Sequence, residues 1–329
     1  MWKPHLTGVQ SNLKLEKGMK KVLLALVLII ASIAPAQERD LAQETDDRFN
    51  FLIANDLGRN GYYDQKPVAA KMGEVGEKID VEFVALLGDA HHFNGVASVQ
   101  DPLWMTNYEL IYSHPELMCE WHPVLGNHDY RGSTQAVLDY GKVSRRWAME
   151  GRYYSKVFAV DDSGATLRLV FIDTAPLIDK YINNHEEYPD AGKQDLQRQL
   201  AWIDSVLTVN TATWTMVMGH HPVYAQTTKT ENERLDMQQR LDPLLRRHNV
   251  DIYICGHIHS HQHIRRADSP VDYIVNSSAS EFRKVSPIEG TQFCAAASGF
   301  SVCSVTAADL RVYIMDKEGK VLHVVERKK

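Results

Sequence analysis

Residues 81–93 read VEFVALLGDAHHF, an apolar run of strand length that halts at Gly88 and is followed at once by Asp89, His91 and His92. A buried strand that stops at a glycine and hands on a polar residue presents that residue at its tip. The same grammar recurs in FNFLIANDLG (49–58), HPVLGNHD (122–129), TMVMGHHP (215–222) and DIYICGHIH (251–259). The tips supply Asp56, Asp89, His92, Asn127, His128, His220, His257 and His259. Carboxylates, imidazoles and one amide are the ligand set for a pair of borderline-hard metal ions. One such tip is ordinary, because Gly-Asp and Gly-His turns are common. Five in one chain point to a single site.

Working outward, helix-like and strand-like segments alternate. Helical spacing predicts helices over 66–79, 133–149, 192–208 and 231–248; in the third, Leu196, Leu200, Ile203 and Leu207 share a face. Further strands are expected at 167–174, 271–278, 300–306, 310–316 and 321–327, the last three as an antiparallel meander. Alternating β and α elements with a β-rich end predict a mixed α/β fold, with mixed sheets and helices outside. In open α/β sheets, sites form at the C-terminal ends of strands, where these ligands fall. No repeat, linker or low-complexity tract interrupts the chain, so one domain is expected over 45–329.

The 329 residues carry a formal net charge of −6. Five Lys and one Glu lie in the first 36, so the rest holds 31 basic and 41 acidic groups. That balance argues against a nucleic-acid partner, which would need a basic footprint. Lys20 and Lys21 precede the apolar run VLLALVLIIASIA (22–34), and Ala34-Pro35-Ala36 offers a small-x-small cleavage site. This is the pattern of a secretory signal peptide, so residues 1–36 are expected to be an N-terminal extension and signal, with Met19 the natural start. The run is short for a membrane span, so no stable insertion is expected after cleavage. The predicted localisation is periplasmic or secreted. Of the four cysteines, Cys294 and Cys303 are close enough to close a small loop if paired, whereas Cys255 reads as a packed free thiol.

As a set, the motifs resemble those of the purple acid phosphatases, a branch of the calcineurin-like metallophosphoesterases, and most of all the small tartrate-resistant type. The family pattern DxG, GDxxY, GNH(D/E), VxxH and GHxH is met here by Asp56-Leu57-Gly58, Gly88-Asp89-Ala90-His91-His92, Gly126-Asn127-His128-Asp129, Val217-Met218-Gly219-His220 and Gly256-His257-Ile258-His259. The likeness spans roughly 48–327. It implies a four-layer αββα sandwich of two sheets flanked by helices. It implies two metal ions, of iron, zinc or manganese. One would be held by Asp56, Asp89, His259 and the residue at the Tyr position; the other by Asp89, Asn127, His220 and His257, with Asp89 bridging. His128 would touch the phosphate and help protonate the leaving oxygen, and Asn127 would also face substrate.

Two departures stand out. The family's Tyr ligand, whose phenolate gives the purple colour with ferric iron, is replaced by His92, with His91 as a competitor for the place. An imidazole stabilises a trivalent ion less than a phenolate does, so two divalent ions are expected. A substrate-contacting His nine residues beyond His220 becomes Lys229, which either holds phosphate as a point charge or is a solvated loop residue. Asp173 reads as a cap or a support to the site. His122 and His221 read as packing or supporting residues, His261 and His263 as surface or supporting, and Arg145 and Arg146 as surface or helix-end charges. The loops at 59–65, 176–191 and 225–233 show no legible pocket chemistry.

The resulting expectation is an exported, monomeric, dinuclear metallophosphatase. It would hydrolyse small phosphomonoesters by attack of a metal-bound hydroxide. A metallophosphodiesterase or nucleotidase is the first alternative, and a non-catalytic phosphoester-binding protein with a degraded site the second.

Overall fold

A computed structural model of the chain describes residues 40–229 and 231–329. The segment read as an extension and export signal, 1–36, lies outside the described residues. Leu41–Lys329 form one compact unit.

Among the described residues, thirteen strands make two sheets. The first sheet is built from β1 (Phe49–Ala54), β2 (Phe83–Leu86), β3 (Glu120–Pro123), β11 (Gly299–Val305), β12 (Asp309–Asp316) and β13 (Val321–Lys328), in the order β13-β12-β11-β1-β2-β3. The second is built from β4 (Tyr154–Ala159), β5 (Thr166–Phe171), β6 (Trp214–Met218), β7 (Ile252–Cys255), β8 (His261–Arg265), β9 (Asp272–Val275) and β10 (Thr291–Ala295), in the order β10-β8-β9-β7-β6-β5-β4. Each sheet is mixed. β1, β2 and β3 run parallel, as do β5, β6, β7 and β9, while β11–β13 form the expected antiparallel meander.

Alternation within strands makes the layers. Phe51, Ile53 and Phe83 of the first sheet share one apolar cluster with Leu169, Met216 and Ile254 of the second. The intervening residues Leu52, Val84 and Val217 belong to a different cluster, which also holds helical side chains. Those helices include α1 (Leu41–Thr45), α2 (Gln65–Ile79), α3 (Thr134–Asp139), α4 (Asp179–Ile182), α5 (Leu196–Thr208), α6 (Glu231–Arg240) and α7 (Asp242–Arg247). Val68, Met72 and Ile79 of α2, and Ile203 and Leu207 of α5, are the buried stripes. The architecture is the two-sheet sandwich flanked by helices.

Several elements differ from expectation. The helix predicted over 133–149 stops at Asp139. Beyond it, the Arg146 carbonyl accepts from Trp121 N and Ala148 N donates to the Trp121 carbonyl, so this stretch is drawn alongside β3 instead of continuing a helix. The predicted 231–248 helix is two, α6 and α7, with Pro243 in the first turn of α7. Arg146 is buried, not a surface charge: its guanidinium donates to the carbonyls of Tyr112 and Leu117 and to Glu109. His261 and His263 are likewise buried on β8 rather than on the surface. All four cysteines are free thiols, and Cys294 and Cys303 sit on strands of different sheets. No described helix is long and apolar enough to cross a membrane.

Candidate metal centre

The C-terminal ends of β1, β2 and β3 from one sheet meet those of β6 and β7 from the other. Backbone hydrogen bonds stitch the tips together. Asp56 N donates to the Gly88 carbonyl at 3.0 Å, Leu57 N to the Asp89 carbonyl at 3.0 Å, and Gly256 N to the His220 carbonyl at 3.0 Å. The two sheets are joined where His220 Nδ1 donates to the Leu87 carbonyl at 2.7 Å, which turns Nε2 toward the cleft. Glycine is required at this crossing: Gly88 has φ +86°, and a Cβ there would meet His220 Nδ1 at 2.7 Å. Asp56, Asp89, His257 and His259 all adopt positive φ, between 52° and 71°. Such strained non-glycine turns concentrate at functional sites.

All eight tip residues come to one place. His259 Nε2 lies 2.9 Å from Asp56 Oδ1, and His220 Nε2 lies 3.1 Å from Asp89 Oδ2. His92 Nε2 stands between the carboxylates, 3.5 Å from Asp89 and 3.8 Å from Asp56. His257 Nδ1 is 3.3 Å from His220 Nε2, and His128 Nε2 is 3.9 Å from Asp89 Oδ2. The ligand atoms of Asp56, His92 and His259, and those of Asp56, Asp89 and His220, each fall within 4.8 Å of one another. The two GHxH histidines share no direction. The turn sends His257 toward His220 and His259 toward Asp56. His91 faces elsewhere, its ring 4.4 Å from that of Trp104 and its Nδ1 beside Asn107. Lys229 lies against the site, donating to the His257 carbonyl at 2.8 Å.

These donors fit metal ions better than they fit each other. Asn127 Oδ1 and both ring nitrogens of His92 are buried with no hydrogen-bond partner among the described residues. A buried acceptor left so costs free energy unless something else satisfies it. The electrostatics agree. Burial alone would raise the Asp56 and Asp89 pKa values. His259 and His220 outweigh it at Asp56, and His220 and His128 at Asp89, so both carboxyls stay well below the ordinary range. Burial alone would lower the His220 pKa, but Asp89 and Asp56 pull it up to about 9. Two carboxylates in a dry pocket make a hole for positive charge, whether a proton or a metal ion.

Sequence reasoning missed the supports. His257 Nε2 donates to Glu233 Oε2 at 3.0 Å, and Glu233 on α6 is held by Lys180 at 2.7 Å. His259 Nδ1 lies 3.2 Å from Glu281, which also pairs with Arg59 at 2.7 Å. His257 therefore has the carboxylate partner that fixes tautomer and ring direction in metal sites, and Glu281 stands beside His259 at ion-pair distance. Asp129 Oδ2 accepts from Gly126 N and Asp89 N, and burial together with the Asp89 charge lifts its pKa to about 7. Asn55 donates to Asp56 Oδ2 at 2.6 Å and is braced by Asn276, while Ser278 and Ser280 donate to the Asp56 carbonyl. The run NSSASE (276–281) after β9 was the legible signal: a polar cluster directly after a buried strand. Asp173 serves elsewhere, accepting from Tyr130 and lying 3.7 Å from Arg152. His221 Nδ1 meets the Thr174 hydroxyl at 2.7 Å, with its ring 4.4 Å from that of His257.

The sequence profile of the calcineurin-like phosphoesterase family matches residues 49–261. The chain is 34% identical to purple acid phosphatase 3 of Arabidopsis thaliana over 314 residues, covering 91% of this chain and 83% of that protein. It is 29% identical to tartrate-resistant acid phosphatase type 5 of Sus scrofa, covering 74% of this chain and 75% of that one. Among solved structures, GAP50, described as the anchor in the inner membrane complex of Plasmodium, superposes with a TM-score of 0.74 at 22% identity, covering 85% of this chain and 89% of that one. A purple acid phosphatase from yellow lupin seeds superposes with a TM-score of 0.62 at 14% identity, covering 85% and 54%. At these identities the superpositions establish the fold alone.

Proposed function

This chain belongs to the calcineurin-like phosphoesterase family, in its purple acid phosphatase branch, and is a metal-dependent phosphatase; we propose that it hydrolyses phosphomonoesters at a dinuclear centre built from the five strand tips. One ion would be held by Asp56, Asp89, His92 and His259, the other by Asp89, Asn127, His220 and His257. What carries this reading is the convergence of those tips on buried ligand atoms with no hydrogen-bond partner among the described residues, Asn127 Oδ1 and the His92 ring nitrogens. Bound ions would supply Lewis acidity toward phosphoryl oxygens and lower the pKa of a coordinated water.

The chain's own residues do the rest. Asp89 faces both halves of the site, and its Oδ1 accepts from His128 N at 2.8 Å, which fixes its carboxylate plane. His128 Nδ1 donates to the Phe93 carbonyl at 2.7 Å, so Nε2 points into the cleft, where a proton can pass to the leaving oxygen. Lys229 places a cation where a phosphoryl oxygen would lie beside His257. His92 in the phenolate position favours divalent ions of zinc, manganese or ferrous iron. The apolar run and small-x-small site at 20–36 support export, which N-terminal sequencing of the mature protein would test by a start at Gln37.

The activity is tested with phenyl phosphate and diphenyl phosphate. Metal-loaded protein should cleave the monoester far faster, lose that activity to a chelator and regain it on adding divalent metal. A faster diester reaction would move the assignment to a phosphodiesterase. Metal binding without cleavage of either ester would leave a binding protein.

A further inference from the structure

The cleft continues past the metal-facing residues into a cavity of about 290 Å³, to which Asn127, His128 and His257 belong. Arg131, Lys180, Lys229 and Arg283 line it too, and no carboxylate is among the described residues that line it. In a chain with 36 basic and 42 acidic residues, such a one-signed wall is not a reflection of composition. The four cations arrive from four separate stretches of chain. Two are braced from outside the cavity, Arg131 by Glu187 at 2.5 Å and Lys180 by Glu233 at 2.7 Å; Arg283 is held through its backbone N–H on the His259 carbonyl at 2.7 Å, with Glu281 4.0 Å from its side chain. Lys229 is braced by the His257 carbonyl. These contacts therefore position the cations while leaving the cavity face positive.

A phosphoryl group on the metal-facing residues has Asn127, His128 and Lys229 beside it. Arg131, Lys180 and Arg283 exceed what that one group requires. A neutral leaving group would press uncharged surface against them and strip their water without return. An anionic one would be paired. Resting on the phosphomonoesterase reading above, we propose that this cavity is a second-anion subsite. The preferred substrates are then small phosphomonoesters whose leaving group bears its own phosphate or carboxylate, with Arg283 the main specificity-determining residue.

The test is a ratio of kcat/KM values on the metal-loaded full chain. Phenyl phosphate is compared with its 3-carboxy derivative, and a hexose 6-phosphate with the hexose 1,6-bisphosphate. Each doubly anionic ester should be preferred by about tenfold, the scale of one charge-assisted hydrogen-bond pair. Arg283→Gln should bring the ratio most of the way to one. Because that variant can fail to fold, the same ratio is read on the unaltered protein in low and high salt, where screening should shrink it. A ratio at or below one, or one that neither salt nor Arg283→Gln changes, overturns the subsite while leaving the phosphatase reading intact. Absence of hydrolysis of all four esters overturns the phosphatase reading itself, and the subsite with it.

Discussion

Among the described residues, two buried clusters combine several imidazoles with carboxylates and differ sharply. One is the strand-tip cluster of Asp56, Asp89, His92, His220, His257 and His259. The other is Asp272 with His263 and His323, on β9, β8 and β13. In the second, His263 Nε2 donates to Asp272 at 2.7 Å, His263 Nδ1 meets His323 Nε2 at 3.0 Å, and Arg265 and Arg327 close on the same carboxylate. Its three residues lie on strands and none of them adopts positive φ, although the strand register shifts beside His263 and His323. In the first, four residues adopt positive φ, and ligand atoms of His92 and Asn127 have no partner among the described residues. Residue types do not separate the two. What separates them is whether the protein itself satisfies the polar atoms. A closed network stabilises a fold, whereas an open one in a strained frame waits for a ligand.

The contrast breaks most directly at its two carboxylates. Asp89→Ala should lose both ions and lower phosphomonoester turnover by on the order of a thousandfold or more, since the bridging carboxylate serves both halves of the site. Retention of two metal equivalents in that variant would remove Asp89 from the bridge. Asp272→Asn should do the reverse: metal content and turnover unchanged, stability lower by about 2 kcal/mol, because the buried carboxylate on which His263, Arg265 and Arg327 close loses its charge. Its pH signature has a definite sign. Burial would raise the Asp272 pKa, but His263 and Arg265 hold it at about 2, below its unfolded value of roughly 3.9. The stabilisation is therefore full above about pH 4 and is lost as pH falls toward 2. Denaturation of the unaltered protein should show that acid loss, and Asp272→Asn should flatten it.

A smaller effect is expected within the site itself. Glu233 is satisfied on both sides, by Lys180 and by His257, yet supports an open cluster. Glu233→Gln should weaken binding of one metal equivalent by about 10- to 100-fold, read by equilibrium dialysis, and leave the other unchanged. Equal weakening of both, or of neither, would show that Glu233 does not act through His257. The smallest change is spectroscopic. The unaltered protein should be colourless or pale with divalent ions, and His92→Tyr supplied with iron should gain a visible charge-transfer band. A strong band before the substitution would mean that another tyrosine reaches the metal.

The tips were legible because each couples an apolar run, a glycine and a ligand within a few residues, and the fold class followed from the alternation of such runs with helical stripes. What was illegible was polar burial. Arg146, His261 and His263 have the residue types of a surface, and hydrophobic periodicity reports only apolar burial. Glu233 and Glu281 sit on segments remote in sequence from the histidines they hold, so no local pattern marks them. The loops at 176–191 and 225–233, without evident chemistry in sequence, deliver Lys180, Lys229 and Glu233 to the site. The 133–149 stretch has helical periodicity, but pairing with Trp121 outweighs local preference.

If the open cluster is a dinuclear metal centre, it holds two ions per chain. Elemental analysis of the purified protein, with protein concentration fixed by amino-acid analysis, tests it directly. After exposure to zinc, manganese or ferrous iron and removal of the excess, the account predicts two equivalents per chain, falling toward zero in Asp89→Ala and remaining at two in Asp272→Asn. One equivalent or none in the unaltered protein, or a loss of metal in Asp272→Asn matching that in Asp89→Ala, would contradict it.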